Sequence, residues 1–245
     1  MRKIGLVFLG VLLIACVGCN YEKAKQTEVS EEKHDEYVTK DLPDNEIAVG
    51  SLLHGGEKCY FVPEYINDRK VIQLGFQSGW VFPGYGTFID PEEGRIDKLI
   101  CPSTIVKLYA NFLQWGGDDF VLTYCGKVQN LGILDKNSRV TYYVPSEQYE
   151  EYLEVFSYAD KEKLKKANVV YDLNYDDRKY YYVDYVEPNK KIENIPPKPT
   201  RAGFVFDGWY LDKSYTKEFD FEKNEVSLSE EEIELRLYAK WNLKI

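Results

Sequence analysis

The chain has 245 residues, with 31 basic and 41 acidic side chains and a net charge of −10. A surface this acidic repels phosphate backbones, which excludes nucleic acid as a partner. Two histidines and five cysteines leave little material for metal clusters or imidazole catalysis.

The N-terminus reads as an address. Arg2 and Lys3 precede an apolar run from Ile4 to Val17, followed by Gly18 and Cys19. This is the pattern of a secretory signal peptide over residues 1–19, and it is too short to span a bilayer as a helix. Leu13-Ile14-Ala15-Cys16 resembles the lipobox of bacterial lipoproteins, with an aliphatic and a small residue before a lipidated cysteine. Cys16 is the favoured lipidation site and Cys19, after Val17 and Gly18, the alternative. The resemblance implies a diacylglyceryl thioether, whose two acyl chains suffice for stable anchoring. The expected location is the outer face of a bacterial membrane, with the membrane itself as a partner through the anchor.

Residues 20–45 carry eight acidic and four basic side chains and no apolar period. Such a segment cannot bury enough surface to offset its ordering entropy. It is expected to be a disordered tether with a root-mean-square reach of roughly 30 Å.

A recurring unit then appears. Phe61-Val62-Pro63, Val81-Phe82-Pro83, Ile100-Cys101-Pro102, Val121-Leu122-Thr123 and Tyr143-Val144-Pro145 follow one another at spacings of 20, 19, 21 and 22 residues. Periods of this size mark units of one short strand plus a return, which must stack because none buries its apolar face alone. Asn67-Asp68-Arg69 is a turn inside the first unit. The segments 61–76 and 101–112 resemble the BspA-like leucine-rich repeat, and 142–153 resembles the segment that closes such arrays. Ser146 is expected to N-cap a helix with Tyr149, Tyr152, Leu153 and Phe156 on one face, covering the last rung. Lys161 to Ala167 are expected to add another helical turn or two.

The C-terminal third is more distinctive. Pro197, Pro199, Thr200, Gly203, Phe206, Gly208, Trp209, Tyr210, Phe219, Phe221, Leu237, Tyr238, Ala239 and Trp241 stand in order. They closely resemble the Listeria–Bacteroides repeat, or internalin B-repeat, which implies a small β-grasp-like domain with a mixed sheet. The residues themselves agree. Val169–Tyr175 and Lys179–Val186 flank a polar turn and predict a hairpin. Ile233, Leu235, Leu237, Ala239 and Trp241 alternate with polar positions and predict a half-buried strand. Ser229 and Glu232 have capping-box spacing, here expected as a single turn before that strand. Trp209 and Trp241 are read as core anchors.

The expected fold class is therefore mainly β with some α. A short leucine-rich-repeat-like solenoid (46–168) is followed by a small β-grasp-like domain (169–245).

The search for chemistry gives no catalytic residue, no cofactor-binding residue and no metal site. Cys59, Cys101 and Cys125 lack paired metal-ligand spacing, although a Cys59–Cys101 disulfide is open outside the cell. Glu92-Glu93, Asp118-Asp119 and Asp176-Asp177 read as solvated turns, and Gly55-Gly56 and Gly116-Gly117 as turns between repeats. The chain is expected not to be an enzyme and to need no cofactor. It is expected to bind an extracellular protein or glycan at the cell surface, with the rung sheet as the first candidate face and no individual ligand-binding residue identifiable. The alternatives are an envelope spacer without a ligand and an envelope enzyme or enzyme accessory.

Overall fold

The computed structural model of the chain describes residues 31–33, 37–52, 58–75, 97–108, 120–127, 140–155, 161–175 and 177–245. Cys16 and Cys19, the Val81-Phe82-Pro83 unit, Glu92-Glu93, Asp118-Asp119, Asp176, both glycine pairs and Phe156 lie outside them.

Folded structure starts earlier than the composition of the acidic segment predicts. β1 (Glu31–Lys33) and β2 (Tyr37–Leu42), both within the expected tether, form an antiparallel meander with β3 (Glu46–Leu52), the first strand of the expected folded part. Thr39 is fully buried there. The segment is too polar to make a core, but it does not need one. It adds ladder hydrogen bonds to β3, whose Ile47, Ala48 and Val49 supply the apolar surface. Asp44 and Asn45 take positive φ in the connection, residue types that tolerate the left-handed region.

From β3 onward the chain alternates between two ladders. β3 and β6 (Arg69–Leu74) pair in parallel, as do β6 and β8 (Lys107–Leu108). The second ladder runs β4 (Cys59–Phe61), β7 (Lys98–Ile100), β9 (Phe120–Thr123), β10 (Val140–Val144) and β11 (Leu164–Lys166), every pair parallel. Chain order therefore coils, strand by strand, around a shared core. β5 (Tyr65–Ile66) closes a two-residue hairpin onto β6 through Asn67 and Asp68, both at positive φ, at the turn the sequence predicts.

Three of the five predicted units, at Phe61, Ile100 and Tyr143, share one slot; β4 pairs directly with β7 with no rung between them, against the expected stacking of a unit at 81–83, and the unit at 121–123 is shifted. Phe61 lies beside Ile100, and Ile100 beside Thr123, which in turn neighbours Tyr143. Thr123, not Val121, occupies the slot. Inward positions decide this: Leu99, Leu122 and Tyr142 fill the coil core with Val62, Val71, Leu74 and Ile105. A two-residue shift keeps every side chain on the same face, so spacing alone did not fix the register.

The closing segment differs in its caps. Ser146–Gln148 form a single 3₁₀ turn leading into α1 (Tyr149–Val155). Ser146 does not cap it; its Oγ donates to the Ala167 carbonyl at 2.6 Å. Tyr152 is fully buried over the last rungs and Tyr149 and Leu153 pack beside it, as the periodicity predicts. Residues 161–167 are not more helix. One 3₁₀ turn gives way to β11, the fifth rung, because the free edge of β10 offers hydrogen bonds that a short isolated helix would forgo.

The C-terminal sheet has the order β13 (Tyr182–Asp184), β12 (Val169–Asp172), β15 (Leu235–Leu243), β14 (Phe204–Tyr210). β12 and β13 form the expected hairpin, β12 and β15 are parallel, and β14 and β15 are antiparallel with a bulge between Phe206 and Gly208. Leu237 and Ala239 are fully buried, whereas Ile233 lies before the strand and is exposed. Trp209 is buried, and the Trp241 indole donates to the Leu173 carbonyl at 2.7 Å, so both act as anchors. Ser229 and Glu232 bond to each other in one turn before β15, without a helix.

Candidate binding site at the domain seam

Only Ala167 and Asn168 separate β11 from β12. Ala167 extends the rung ladder through Val144, and Asn168 starts the next sheet. The Asn168 amide exchanges two hydrogen bonds with the Val186 backbone, its N–H donates to the Asp184 carbonyl, and its carbonyl accepts from Leu235. The junction is thus a hydrogen-bonded corner with no linker.

That corner folds the C-terminal sheet back onto the rungs. Alternation along each rung points Leu99 into the coil and Ile100 the other way. Ile100, Cys59 and Phe61 enter the core of the C-terminal domain beside Tyr171, Tyr182, Trp209 and Leu237. The Phe61 ring meets Tyr182 edge to face at 5.1 Å, and Tyr143 stacks on Tyr185 at 4.6 Å. The Tyr182 hydroxyl donates to the Val62 carbonyl, and the Ser103 N–H to the Tyr181 carbonyl. This corrects the expectation that the rung sheet presents an open recognition face. Its outer apolar residues are half of an internal interface, because a single-layer ladder with apolar side chains on both faces needs a second cover.

A buried ion pair sits in this seam. The Lys98 ammonium, from β7, pairs with the Asp184 carboxylate, from β13, and also donates to the Tyr185 carbonyl at 3.2 Å. Asp184 is 1% exposed. Burial raises its pKa above the ordinary carboxylate value, against the opposing pull of Lys98. Neighbouring Cys59 is pushed up to about 11, by burial first, with Lys98 opposing and Asp184 adding. A thiol so protonated is a poor nucleophile. The sequence reading missed this pair; a charge flanking an apolar strand, Lys98 before Leu99-Ile100 and Asp184 after Tyr182-Val183, is the signal that could have found it.

A cavity of about 330 Å³ opens over the pair, lined by Lys98, Asp184, Tyr185, Glu187, Lys190 and Asn194 among others. That volume falls at the lower end of small-ligand sites, roughly 300–1,000 Å³. Its lysines are balanced by carboxylates, so it suits a neutral polar ligand better than a phosphate.

Further polar contacts stitch the seam. Arg178 pairs with Glu64. Arg236, held within the C-terminal domain by Glu234 at 2.6 Å and Asp172 at 3.5 Å, reaches across the seam to Glu147 at 3.4 Å. Cys59, Cys101 and Cys125 are free thiols, so the Cys59–Cys101 bridge left open by the sequence is not formed. Cys101 faces the coil core and Cys59 the opposite side. Burial raises the thiol pKa of both Cys101 and Cys125. Asp177 is exposed. Among the described residues, no three His, Cys, Asp or Glu side chains are placed to hold a metal ion, and no helix is long and apolar enough to cross a membrane.

Residues 168–240 match the family model of the Listeria-Bacteroides repeat domain. Repeats of this family are typical of cell-surface proteins. No curated protein matches the chain.

Proposed function

We infer that this chain is a lipid-anchored, non-enzymatic binding module of a bacterial surface. In this reading a short leucine-rich-repeat-like coil is fused to one repeat domain of β-grasp type. The ligand is an extracellular glycan or protein. The observation that carries the reading is the seam cavity, where Lys98 of the rungs meets polar side chains of the C-terminal domain. The raised thiol pKa of Cys59 argues against nucleophilic turnover there. The repeat-family match supports the surface location, and the lipobox supports Cys16, with Cys19 as alternative, as the anchor.

The test is a glycan-array and pull-down screen with the full chain in detergent micelles, alongside Asn194→Ala and Lys190→Ala variants. Both residues are exposed at the cavity rim, so the variants should keep the parent melting temperature. Saturable binding weakened by either variant supports the seam as the site. Binding that ignores both moves the site elsewhere. No binding at all leaves the rigid spacer, a reading that the linker-free junction favours. Mass spectrometry of Cys16→Ser and Cys19→Ser chains identifies the acylated thiol.

A further inference from the structure

Arg201 sits in the turn that enters β14, where Gly203 takes φ +77° and the Phe204 N–H closes back on the Arg201 carbonyl at 3.1 Å. Its guanidinium lies 3.7 Å from the ring centre of Phe204, 4.7 Å from Tyr175 and 5.9 Å from Trp241. The rings are themselves fixed. Tyr175 meets Trp241 edge to face at 5.3 Å, and the Trp241 indole is tied to Leu173. The other described arginines, Arg69, Arg178 and Arg236, each meet a carboxylate. Among the described residues Arg201 meets only rings, in a chain of net charge −10.

Aromatic faces hold a guanidinium by its flat side and leave its in-plane N–H groups for an oxyanion, the geometry of bidentate carboxylate recognition. A guanidinium already oriented loses little freedom on binding. Acidic chain charge disfavours a polyanion far more than a single carboxylate. Half-exposed Tyr175, Phe204 and Trp241 around the charge also offer apolar faces to the C–H side of a sugar ring. We propose that Arg201, with Tyr175, Phe204 and Trp241, forms a binding site for a glycan bearing an isolated carboxylate, a uronate. The site lies at the far end of β12 from Asp184. Asp184 pairs with Val169 at the start of β12, Tyr175 lies three residues beyond its end at Asp172, and none of the four site residues lines the seam cavity. It is thus separate from the seam cavity and stands or falls independently of it.

The test is NMR titration of the full ¹⁵N-labelled chain in micelles, reading the Arg201 Nε–H and Trp241 indole N–H signals. The probes are a glucuronate-terminated disaccharide, its glucose-terminated counterpart and an acetylated glutamyl dipeptide amide. Saturable shifts of both signals with the glucuronate probe are expected, at least tenfold weaker with the glucose probe and with the dipeptide. Arg201→Lys, which keeps the charge and the fold, should weaken glucuronate binding by at least tenfold. No shift with glucuronate, equal response to glucose, or full binding by Arg201→Lys overturns the site. A stronger response to the dipeptide overturns the glycan assignment and makes it a peptide-carboxylate site.

Discussion

The hydroxyl of Tyr182 donates to the carbonyl of Val62 at 2.6 Å, across 120 positions of sequence and across the seam. One residue belongs to the C-terminal hairpin and the other to the first rung. With the shared core around Ile100 and Phe61, this bond couples the two folded parts. Urea unfolding of the full chain is therefore expected to show one transition, with the probes of the two parts superimposing. Two resolved transitions would show that the seam is not cooperative.

Tyr182 and Tyr171 are both fully buried, but the Tyr171 hydroxyl has no hydrogen-bond partner among the described residues. Removing a satisfied hydroxyl strands the Val62 carbonyl, so Tyr182→Phe should cost about 1–3 kcal/mol. Removing the unpaired one should be neutral or stabilising by up to ~1 kcal/mol in Tyr171→Phe. Denaturation midpoints of the two variants should move in different directions or by clearly unequal amounts.

Lys98 and Asp184 make the strongest electrostatic prediction. Lys98→Met leaves the Asp184 carboxylate buried without its partner and should cost about 3–5 kcal/mol. The double change Lys98→Met with Asp184→Leu should recover most of that loss, because it removes both charges. The pH dependence has a defined sign. Burial raises the folded pKa of Asp184 above its unfolded value near 3.8, so the folded chain holds this proton to higher pH than the unfolded one. This group's contribution to stability therefore falls as pH rises above about 3.8. Asp184→Asn should remove that component from the stability–pH curve. An unchanged curve would mean that the folded and unfolded pKa values coincide.

A Cβ at Gly126 would lie 2.2 Å from the Ile105 carbonyl oxygen and 2.5 Å from the Tyr124 hydroxyl. Backbone of the neighbouring turn cannot yield as a flexible side chain would. Gly126→Ala should destabilise by about 1–3 kcal/mol or more, read from thermal or urea unfolding. Ready acceptance of alanine would show that the turns of the coil are looser than this packing.

Native thiols should be slow. With its pKa near 11, Cys59 is thiolate in roughly one molecule in 3,000 at pH 7.5. Cys101 and Cys125 are buried free thiols. Alkylation of all three, followed by mass spectrometry, should be at least a hundredfold slower in the native chain than in denaturant. An intact disulfide after denaturing alkylation without reductant would contradict the free-thiol state.

Local patterning determined much of this protein. Alternation in 233–241 predicted β15, the polar break after Tyr175 predicted the β12–β13 hairpin, and Asn67-Asp68 predicted a turn by left-handed tolerance. These features depend on a residue and its near neighbours. The ordered anchors from Pro197 to Trp241 likewise named the repeat family without any structure. What the tertiary structure alone decided is what faces what. Tyr37–Leu42 is too polar to order itself, yet the edge of β3 recruits it. Leu164–Lys166 becomes a rung because β10 leaves an edge open. The rung face looked like a recognition surface because alternation identifies an apolar side without identifying its cover. Val62, Ile100 and Lys98 acquire their roles only when β13, more than 80 residues later, folds back on them. Such contacts are set by the global arrangement of the sheets, to which no window of local sequence has access.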